Sequence, residues 1–538
     1  MAITALKDLD DAMAIDFGDR LNLDIAMPPL TPSPTPLEQD LLVNRDVLPW
    51  VVQKFGGTTV GKFSETIVEK VAKSHLENHR TILVCSARSG ETKALGTTNR
   101  LLQAAKEALT SNSTGFIDIV NDILEDHLNA ASNLISNAYV LTDLNNSLRE
   151  ECTRLEKFLG ATRVINELTP RSKDIIIGMG EKLSCRIVTA LLRDRGVDAE
   201  FVDLGNIISQ DFDTANLDQE FYDDLTSRMA ERIKECGNRV PVVTGFFGQV
   251  PGSILCSIGR GYTDLCAALL AVGVGAEELQ IWKEVDGIFT ADPRKVPTAR
   301  LLPVITPEEA AELTYYGSEV IHPFTMNQAI RASIPIRIKN IQNPDGDGTV
   351  IFPDVMNRDL SPLGKSMTKL FSENGYYSDM TRRHPIAVTI KNNIIVLNIH
   401  SHRKIMSHGF FASIFAALDK YGIVVDLIST SEVHVSMALV DVAAEQDLGK
   451  ALKELNALGK VDVIPKLAIL SLVGKQMKNM VGIAGKMFNT LAAAQINIEM
   501  ISQGASEINI SCVIDECNAD MALNVIHAEL LSSVALGQ

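Results

Sequence analysis

Two glycine-containing segments of this sequence place charged residues where a small anion could bind. The first, KFGG at residues 54–57, ends a short apolar run. Glycines let backbone N–H groups approach an anion closely, and Lys54 supplies a point charge for a phosphate. The spacing matches neither a Walker loop nor a dinucleotide-binding loop. Taken alone, Gly56-Gly57 is more typical of a tight turn beside a surface lysine than of a phosphate site.

The second segment, GRGYTD at residues 259–264, leads directly into an apolar helical run. Thr263 is predicted to be the N-cap of this helix, and a glycine-rich approach to a helix N-terminus suits a phosphate or a carboxylate. Arg260 can grip a carboxylate with two parallel hydrogen bonds. Asp264 could merely complement the helix dipole, but its place near Arg260 favours a functional site. A third segment, at 282–297, predicts a turn-rich loop with a structural or a functional role.

The elements that must position these segments are predicted from short apolar runs. Four such runs each reach a glycine, which is typical of a buried strand followed by a turn, and helical sequence lies between them. The runs are 49–55, 80–90, 174–182 and 240–248. This alternation indicates an α/β fold with a mainly parallel sheet, in which ligands collect at the carboxyl ends of the strands.

Three stretches fall outside this alternation. Residues 1–46 include a proline-rich run and are predicted to be a flexible, extended leader. Residues 105–170 are polar and helical in pattern, which predicts a helical insertion or lid. Residues 356–389 have weak periodicity and many turn-forming residues, so they are predicted to be a linker.

The tail contains an internal repeat with an offset of 73 residues. At this offset Gly409 matches Gly482 and Ile423 matches Ile496, and a two-residue insertion precedes a shared Ser-Glu. Each copy reads strand, glycine turn, helix, strand, hairpin, strand. The tail is therefore predicted to hold two ferredoxin-like βαββαβ modules.

The bulk composition limits the class of protein. With 538 residues, 46% of them hydrophobic and 22% charged, several folded domains are expected. The formal net charge of −17 argues against a nucleic-acid partner. The eight cysteines are scattered without a framework spacing, the acidic N-terminus resembles no targeting signal, and no apolar run approaches the roughly 20 residues that span a bilayer. These features predict a cytoplasmic protein without a membrane partner.

Five segments in order resemble the signature segments of aspartate kinases, and the tail resembles the paired ACT modules of that family. The segments are KFGGTTV, GEKLSC, GRGYTD, WKEVDGIFTADPRKVP and YGSEVIHPF. The likeness covers about residues 50–530 and is closest to monofunctional, fungal members. It implies a three-layer α/β/α amino-acid kinase domain at 47–355 and ACT modules at 390–463 and 464–535.

The resemblance also implies roles for individual residues. Lys54 would hold the transferring phosphate, and Asp264 would orient that lysine. Arg260 and Glu181 would bind the α-carboxylate and α-ammonium of L-aspartate. Other positions with implied contacts to ATP are Gly56, Gly57, Thr263, Phe289 and Arg294, and those with implied contacts to aspartate are Ser86 and Thr98. Mg²⁺ would arrive with ATP, and no metal ligand is expected from protein side chains.

The implied reaction needs no general base. An aspartate side chain has a reference pKa of about 3.9, so it is already ionised at neutral pH, and the site must instead gather positive charge around an in-line transfer. The product would be 4-phospho-L-aspartate, the first intermediate of a route to threonine, methionine and isoleucine. Two positions depart from bacterial members: Lys283-Glu284 replaces Thr-Asp, and Glu319 replaces a lysine.

By the same resemblance, the tail would bind an amino-acid effector and join subunits into a homo-oligomer. The matching positions are Ser407, Gly409, Asp426, Thr430, Ser431 and Glu432 in the first copy, and Ile483, Gln495 and Asn497 in the second. Likeness to fungal enzymes favours threonine as the inhibitor, with lysine as the alternative. Three other functions stay open: a kinase acting on a glutamate-type carboxylate, the kinase half of a fusion with homoserine dehydrogenase, and a catalytically dead amino-acid sensor.

Overall fold

The computed structural model describes residues 41–538 with several gaps. The gaps are 91–95, 111–112, 209–216, 249, 251–252, 255–257, 316–320, 322, 353–384, 402–408, 432–433, 441–444, 476, 478–479, 505–507 and 533–538. The described part therefore leaves out most of the predicted leader and linker. It also leaves out Glu319, Ser407, Glu432 and the side chain of Arg260.

An eight-stranded, mainly parallel sheet forms the centre of the described N-terminal part, in the order β3-β4-β2-β1-β5-β7-β8-β6. Only the β7–β8 pair is antiparallel among the strand pairs in this sheet. The strands are β1 Trp50–Phe55, β2 Arg80–Cys85, β3 Ala199–Val202, β4 Val240–Thr244, β5 Glu278–Lys283, β6 Val304–Ile305, β7 Ile336–Asn340 and β8 Thr349–Ile351. The predicted mainly parallel sheet is confirmed.

Helices cover both faces of this sheet because alternate strand residues enter two separate cores. Ile82 and Val84 pack with α8 and α9, whereas Leu83 and Cys85 pack with α7. The helices are α1 Gly57–Lys62, α2 Ser64–Thr66, α3 Lys73–Leu76, α4 Thr97–Ala108, α5 Gly115–Leu134, α6 Ala138–Ile165, α7 Pro170–Asp194, α8 Gln219–Lys234, α9 Tyr262–Val274, α10 Pro307–Tyr315 and α11 Pro323–Arg331. The result is the three-layer arrangement implied by the family resemblance.

The strand predicted at 174–182 is wrong, because these residues lie inside helix α7. The Thr169 side chain accepts a hydrogen bond from the Ser172 N–H, and Pro170 occupies the first helical turn, so the helix begins upstream of the apolar run. The run is apolar because α7 is buried between the sheet and the helices α4, α5 and α6. A short apolar run does not distinguish a strand from a buried helix.

The packed part of the chain includes residues that precede β1. Leu42 forms a parallel bridge with Val197. The buried side chain of Asn44 accepts a hydrogen bond from the Thr81 N–H and donates to the Thr81 carbonyl oxygen. These contacts bring residues 42–44, within the stretch predicted as leader, against the kinase-like domain.

The tail forms a six-stranded antiparallel sheet in the described residues, in the order β10-β11-β9-β12-β14-β13. Its elements are β9 Ala387–Ser401, α12 Phe410–Lys420, β10 Val425–Thr430, β11 His434–Val440, α13 Glu445–Leu458, β12 Gly459–Val473, α14 Ile483–Ala493, β13 Met500–Ser502, β14 Asn509–Asp515 and α15 Ala519–Leu530. Gly409 and Gly482 occupy equivalent N-cap positions of α12 and α14, with φ of 89° and 88°. This equivalence confirms the predicted repeat.

The two modules share their longest strands. The second half of β9 pairs with β11 and with the first half of β12, whereas Ala387–Lys391 in the first half pairs with Ile469–Val473. Each strand changes module next to a residue with positive φ, Asn393 in β9 and Lys466 in β12. The second module therefore takes its fourth strand from residues that precede the first module, instead of completing a linear βαββαβ unit.

None of the helices described here is long and apolar enough to cross a membrane.

Candidate active site

A lysine–aspartate ion pair lies at the carboxyl end of the central strand β1. The Lys54 Nζ is 2.6 Å from the Asp264 Oδ1, and both side chains are more than four-fifths buried. β1 delivers the lysine, and the first turn of α9 delivers the aspartate. A Cβ at Gly56 would stand 3.9 Å from the lysine ammonium. Glycine at this position therefore leaves the approach to that cation open.

Close backbone approaches hold the neighbouring segments against this lysine. A Cβ added to Gly57 would clash with the Ala87 carbonyl oxygen, and one added to Gly180 would lie 3.0 Å from the Ala87 Cβ. The stretch after β2 thus wedges between the start of α1 and the middle of α7. Helix α1 begins directly after β1, so its first N–H groups, which no side chain caps at Gly56, lie at the same edge of the sheet.

Glu181 is a buried carboxylate next to the ion pair. Its Oε1 accepts a hydrogen bond of 2.9 Å from the Thr263 hydroxyl, and its Oε2 accepts one from the Phe246 N–H. Burial raises the pKa of Glu181 to about 7, against the opposing effects of these donors and of the Lys54 charge. Near neutral pH, this group can change its charge in response to a bound cation.

The predicted N-cap role of Thr263 is wrong. Helix α9 begins at Tyr262, two residues earlier than this prediction implies; its N-cap is Gly261, and no side chain caps it. The Thr263 hydroxyl is turned inward to Glu181 instead, and a Cβ at Gly245 would clash with the Thr263 side chain. The threonine therefore links the helix start to the buried carboxylate.

Ser86 and Thr98, the other positions implied to contact substrate, lie near the same edge. The Ser86 N–H donates to the Phe55 carbonyl oxygen at 3.1 Å, which places Ser86 beside the end of β1. Thr98 lies in the first turn of α4, next to Thr97, whose methyl group packs 3.2 Å from a Cβ placed at Gly180. Both residues are half-buried.

A cavity of about 210 Å³ lies at the carboxyl ends of β5 and β7. Its lining residues are Asp286, Phe289, Leu301, Asn340, Asn343, Gly346, Asp347 and Gly348. The volume is smaller than the roughly 300–1,000 Å³ of pockets for whole drug-sized ligands, so it suits one part of a nucleotide. Arg294 does not line it: this side chain is 88% exposed and forms an ion pair with Asp292 at 2.8 Å.

Sequence reasoning assigned no contact to two polar pairs in this region, although it had named Glu284 as a departure from bacterial members. The Glu284 Oε1 accepts a hydrogen bond of 2.8 Å from the Thr59 hydroxyl, which joins the end of β5 to α1. The Asn340 side chain donates to the Asp286 Oδ1 at 3.1 Å beside the cavity. Both pairs lie at the carboxyl ends of adjacent parallel strands, where ligands collect in such folds. Their position after a predicted strand is the feature of the sequence that could have identified them.

The loop that follows β5 also contacts the tail. The Thr290 hydroxyl lies 2.9 Å from the His527 Nε2 of α15, and the Thr290 carbonyl oxygen accepts the Val388 N–H of β9 at 2.8 Å. Ala291 and Val296 of this loop belong to the hydrophobic core of the second module. The cavity-lining Phe289 therefore immediately precedes a residue fixed by the tail.

The described tail residues with implied effector roles lie on both modules. The side chain of Asp426 is 3% exposed, and both of its oxygens lie 2.9 Å from the Lys391 Nζ. Ile483 begins α14, next to the N-cap Gly482. The remaining positions lie at module edges: Thr430, Ser431, Gln495 and Asn497 are at least partly exposed. The Lys391–Asp426 pair joins β9 to the edge strand β10.

Sequence profiles of two families match this chain. The amino acid kinase family matches residues 49–340, and an ACT domain family matches residues 470–530. The chain is 58% identical over 487 residues to the aspartokinase of Schizosaccharomyces pombe, covering 90% of this chain and 94% of the relative. It is 53% identical over 495 residues to the aspartokinase of Saccharomyces cerevisiae, covering 90% and 93%.

Solved structures show the same likeness. Escherichia coli aspartokinase III in complex with lysine and aspartate, in the T-state, superposes with a TM-score of 0.70 at 27% identity, covering 90% of this chain and 99% of the other. The R-state structure of that enzyme, in complex with aspartate and ADP, gives a TM-score of 0.66 at 26% identity, covering 90% and 100%.

Proposed function

This chain belongs to the aspartokinases, within the amino acid kinase family, and on that premise we propose that it transfers the γ-phosphoryl group of ATP to the side-chain carboxylate of L-aspartate. The observation that carries the proposal is the convergence of the Lys54–Asp264 ion pair with the buried Glu181 at the carboxyl end of β1. One cation for a phosphate and one carboxylate for an ammonium are the groups that the two substrates require.

Lys54 would place its charge between two anions that repel each other, the aspartate carboxylate and the phosphate chain. Such fixed charges cost no reorganisation during the reaction, which is why they stabilise a transition state strongly. The carboxylate of Asp264 forms an ion pair with the ammonium of Lys54. Since the nucleophile arrives ionised, we assign Asp264 to orienting Lys54 rather than to removing a proton.

Glu181 and Arg260 would bind the amino-acid end of L-aspartate. The carboxylate of Glu181 is buried, so an arriving α-ammonium would meet a strong, poorly screened partner. Thr263 and the Phe246 N–H fix the two oxygens of this carboxylate in place. Arg260, on the turn that leads into α9, would take the α-carboxylate.

The cavity beside Phe289 would hold one end of ATP. Asn340 and Asp286 offer donors and acceptors there, and the Phe289 ring offers an apolar surface. Arg294 would have to leave Asp292 to reach a phosphate. Mg²⁺ bound to the nucleotide would neutralise phosphate charge when present. No group of three His, Cys, Asp or Glu side chains in the described residues is arranged to hold a metal ion.

The purified protein is expected to consume ATP with L-aspartate and to prefer it over L-glutamate by about 10- to 200-fold in kcat/KM, the range for one extra methylene. A coupled assay of ADP release measures this ratio. N-acetyl-L-aspartate, which lacks the ammonium that Glu181 would bind, serves as a control and should be a poor substrate. Equal activity on aspartate and glutamate would contradict the substrate assignment.

We further propose that the tail makes this enzyme sensitive to an amino-acid end product, threonine in the first place. The contact of Thr290 with His527 and Val388 supports this, because a shift of the second module would move the loop that carries Phe289. The phosphorylated aspartate would then supply the route to threonine, methionine and isoleucine. Lysine is the alternative effector.

Threonine is expected to inhibit the enzyme, and Asp426→Ala is expected to raise the half-inhibiting threonine concentration by about tenfold or more, the value of one hydrogen bond to a charged group. Inhibition is measured against each variant's own uninhibited rate. Asp462→Ala, an exposed aspartate on β12 that pairs with Lys460, is the matched control. An enzyme indifferent to threonine, lysine and methionine alike would refute a regulatory tail.

A cytoplasmic homo-oligomer joined through the tail completes the proposal. Large apolar side chains are exposed there, including Val424 at 68%, Phe415 at 43% and Ile501 at 47%. β10 and β13 are the edge strands of the tail sheet. Exposed apolar residues beside a sheet edge are typical of a surface that pairs with another copy.

A further inference from the structure

Asp174 is a buried carboxylate on α7 that the proposed reaction does not use. Its side chain is fully buried. Its Oδ1 accepts a hydrogen bond of 2.9 Å from the Ser253 hydroxyl, and its Oδ2 accepts one of 2.7 Å from the Ile254 N–H. Carboxylates are rarely buried without a specific role, because desolvation disfavours their charge.

Ser253, which donates a hydrogen bond to Asp174, has an unusual backbone conformation. Ser253 has a φ of 142°, a region that residues with a Cβ rarely adopt, and it is itself buried. Such a conformation persists only where the surroundings hold it, and it is often found at functional sites. The hydrogen bond from the Ser253 hydroxyl to Asp174 is one contact that holds it.

A backbone hydrogen bond connects the residues held by Asp174 to the turn that leads into α9. The Ile254 carbonyl oxygen accepts the Ile258 N–H at 3.0 Å, and Ile258 directly precedes the turn Gly259–Gly261. That turn carries Arg260 and runs into α9, where the Thr263 hydroxyl meets Glu181. The conformation fixed at Ser253 is therefore passed on to the residues proposed to bind aspartate.

Helix α7 holds both ends of this segment. Asp174 and Glu181 are seven residues apart, which is about two helical turns, so they project from one side of the helix. Glu181 accepts hydrogen bonds from the Phe246 N–H and from the Thr263 hydroxyl. Asp174 accepts one from the N–H of Ile254, which lies between these two residues in the sequence. One helix thus contacts this part of the chain at three described places, Phe246, Ser253–Ile254 and Thr263.

We infer that Asp174 is a positioning residue for aspartate binding: it fixes Ser253 and Ile254, and through them the backbone of the turn at 259–261 that leads to Thr263 and Glu181. The inference depends on the proposed function, because it assumes that this turn contacts aspartate. It predicts a selective loss of aspartate binding rather than a general loss of structure.

The test compares Asp174→Asn, Ser253→Ala and the double variant in the full-length enzyme. Each single variant is expected to raise KM for aspartate by about 10- to 100-fold, the range for a small displacement of a binding group, and to change KM for ATP by less than about twofold. The double variant should be no worse than the more affected single variant, because both substitutions break the same bond.

Asp194→Asn is the matched control. Asp194 lies on the same helix, its side chain is 2% exposed, and it also accepts two backbone N–H groups, from Ser136 and Asn137, but at the start of α6. This variant is expected to lower the thermal midpoint without changing KM for aspartate. If Asp174→Asn fails to fold, Ser253→Ala alone carries the test.

Any one of three results would overturn the inference. The first is a folded Asp174→Asn variant whose KM for aspartate stays within twofold of the wild-type value, and the second is a joint rise of the KM values for aspartate and ATP, as expected for a merely structural residue. The third is a double variant in which the effects of the two single variants multiply. Failure of the wild-type enzyme to phosphorylate aspartate is a separate result, which would refute the proposed function itself.

Discussion

Replacing Lys54 with alanine is expected to lower kcat by about 10³-fold while the protein stays folded. The lysine ammonium lies beside the open approach at Gly56. Removal of one preorganised charge-stabilising group from a water-excluded site costs about 10² to 10³ in kcat. The loss falls at the upper end because the substitution also leaves the negative charge of Asp264 beside the phosphate path.

The measurement is steady-state ATP consumption with saturating aspartate and ATP, accompanied by a thermal melt. Lys70→Ala is the matched control, since Lys70 is an exposed lysine of the nearby π-helical segment Ile67–Ala72. Lys54→Arg, which keeps the charge but changes its shape, should recover only part of the rate. A folded Lys54→Ala enzyme that keeps more than a tenth of the wild-type kcat would remove Lys54 from the transition state.

Glu181→Gln is expected to raise KM for aspartate by about 100-fold or more, because it removes the charge proposed to meet the α-ammonium. Breaking one partner of a buried charge pair costs about 3–5 kcal/mol in proteins. The glutamine can place its oxygen on the Phe246 N–H and donate from its NH₂ to the Thr263 hydroxyl oxygen, so the local structure should survive. An unchanged KM would place the ammonium elsewhere.

The same carboxylate gives the wild-type enzyme a distinctive pH dependence. Burial raises the pKa of Glu181 to about 7, and only the ionised form can pair with an ammonium. KM for aspartate should therefore rise about tenfold for each pH unit below this value, whereas kcat at saturation changes less. In Glu181→Gln the KM profile should be flat between pH 5.5 and 7, and a wild-type profile of the same flatness would contradict the assignment.

Without substrate, the folded protein should be more stable at low pH, whereas aspartate binding is favoured at high pH. A raised pKa means that the folded state favours the protonated form, so this contribution is complete below the unfolded pKa of about 4.5 and is lost as pH rises through about 7. The shift corresponds to about 3 kcal/mol. Between pH 5 and pH 8, wild-type stability should fall by about this amount relative to Glu181→Gln, as measured by denaturant unfolding.

Local patterns predicted three of the eight described strands of the catalytic domain's sheet, and the one run that is not a strand has a physical cause. The runs that form β1, β2 and β4 are short and flanked by turns, as buried parallel strands are. Residues 174–182 share that character because α7 is covered on all sides. The helix-start signal at Thr169-Pro170 was present in the sequence, and it separates the two interpretations better than hydrophobicity does.

The site itself depends on contacts that no local pattern encodes. Lys54 and Asp264 are far apart in sequence and meet only because α9 packs beside β1. Family resemblance named both residues, whereas Asp174 belongs to no quoted motif and emerges only from its contacts. In the tail, the 73-residue offset predicted both helix starts. The exchange of strands between modules depends on register shifts between β9 and β12, which periodicity does not reveal.

The exchanged strand has a consequence for how such a tail can be inherited or transplanted. Ala387–Lys391 completes the second module, although the first module stands between them in the chain. A gene fragment that encodes only residues 464–535 would specify a module that lacks one strand and the core residue Val388. The two modules can therefore be duplicated, lost or grafted onto another enzyme only as a pair, and a fusion boundary has to be placed before residue 387.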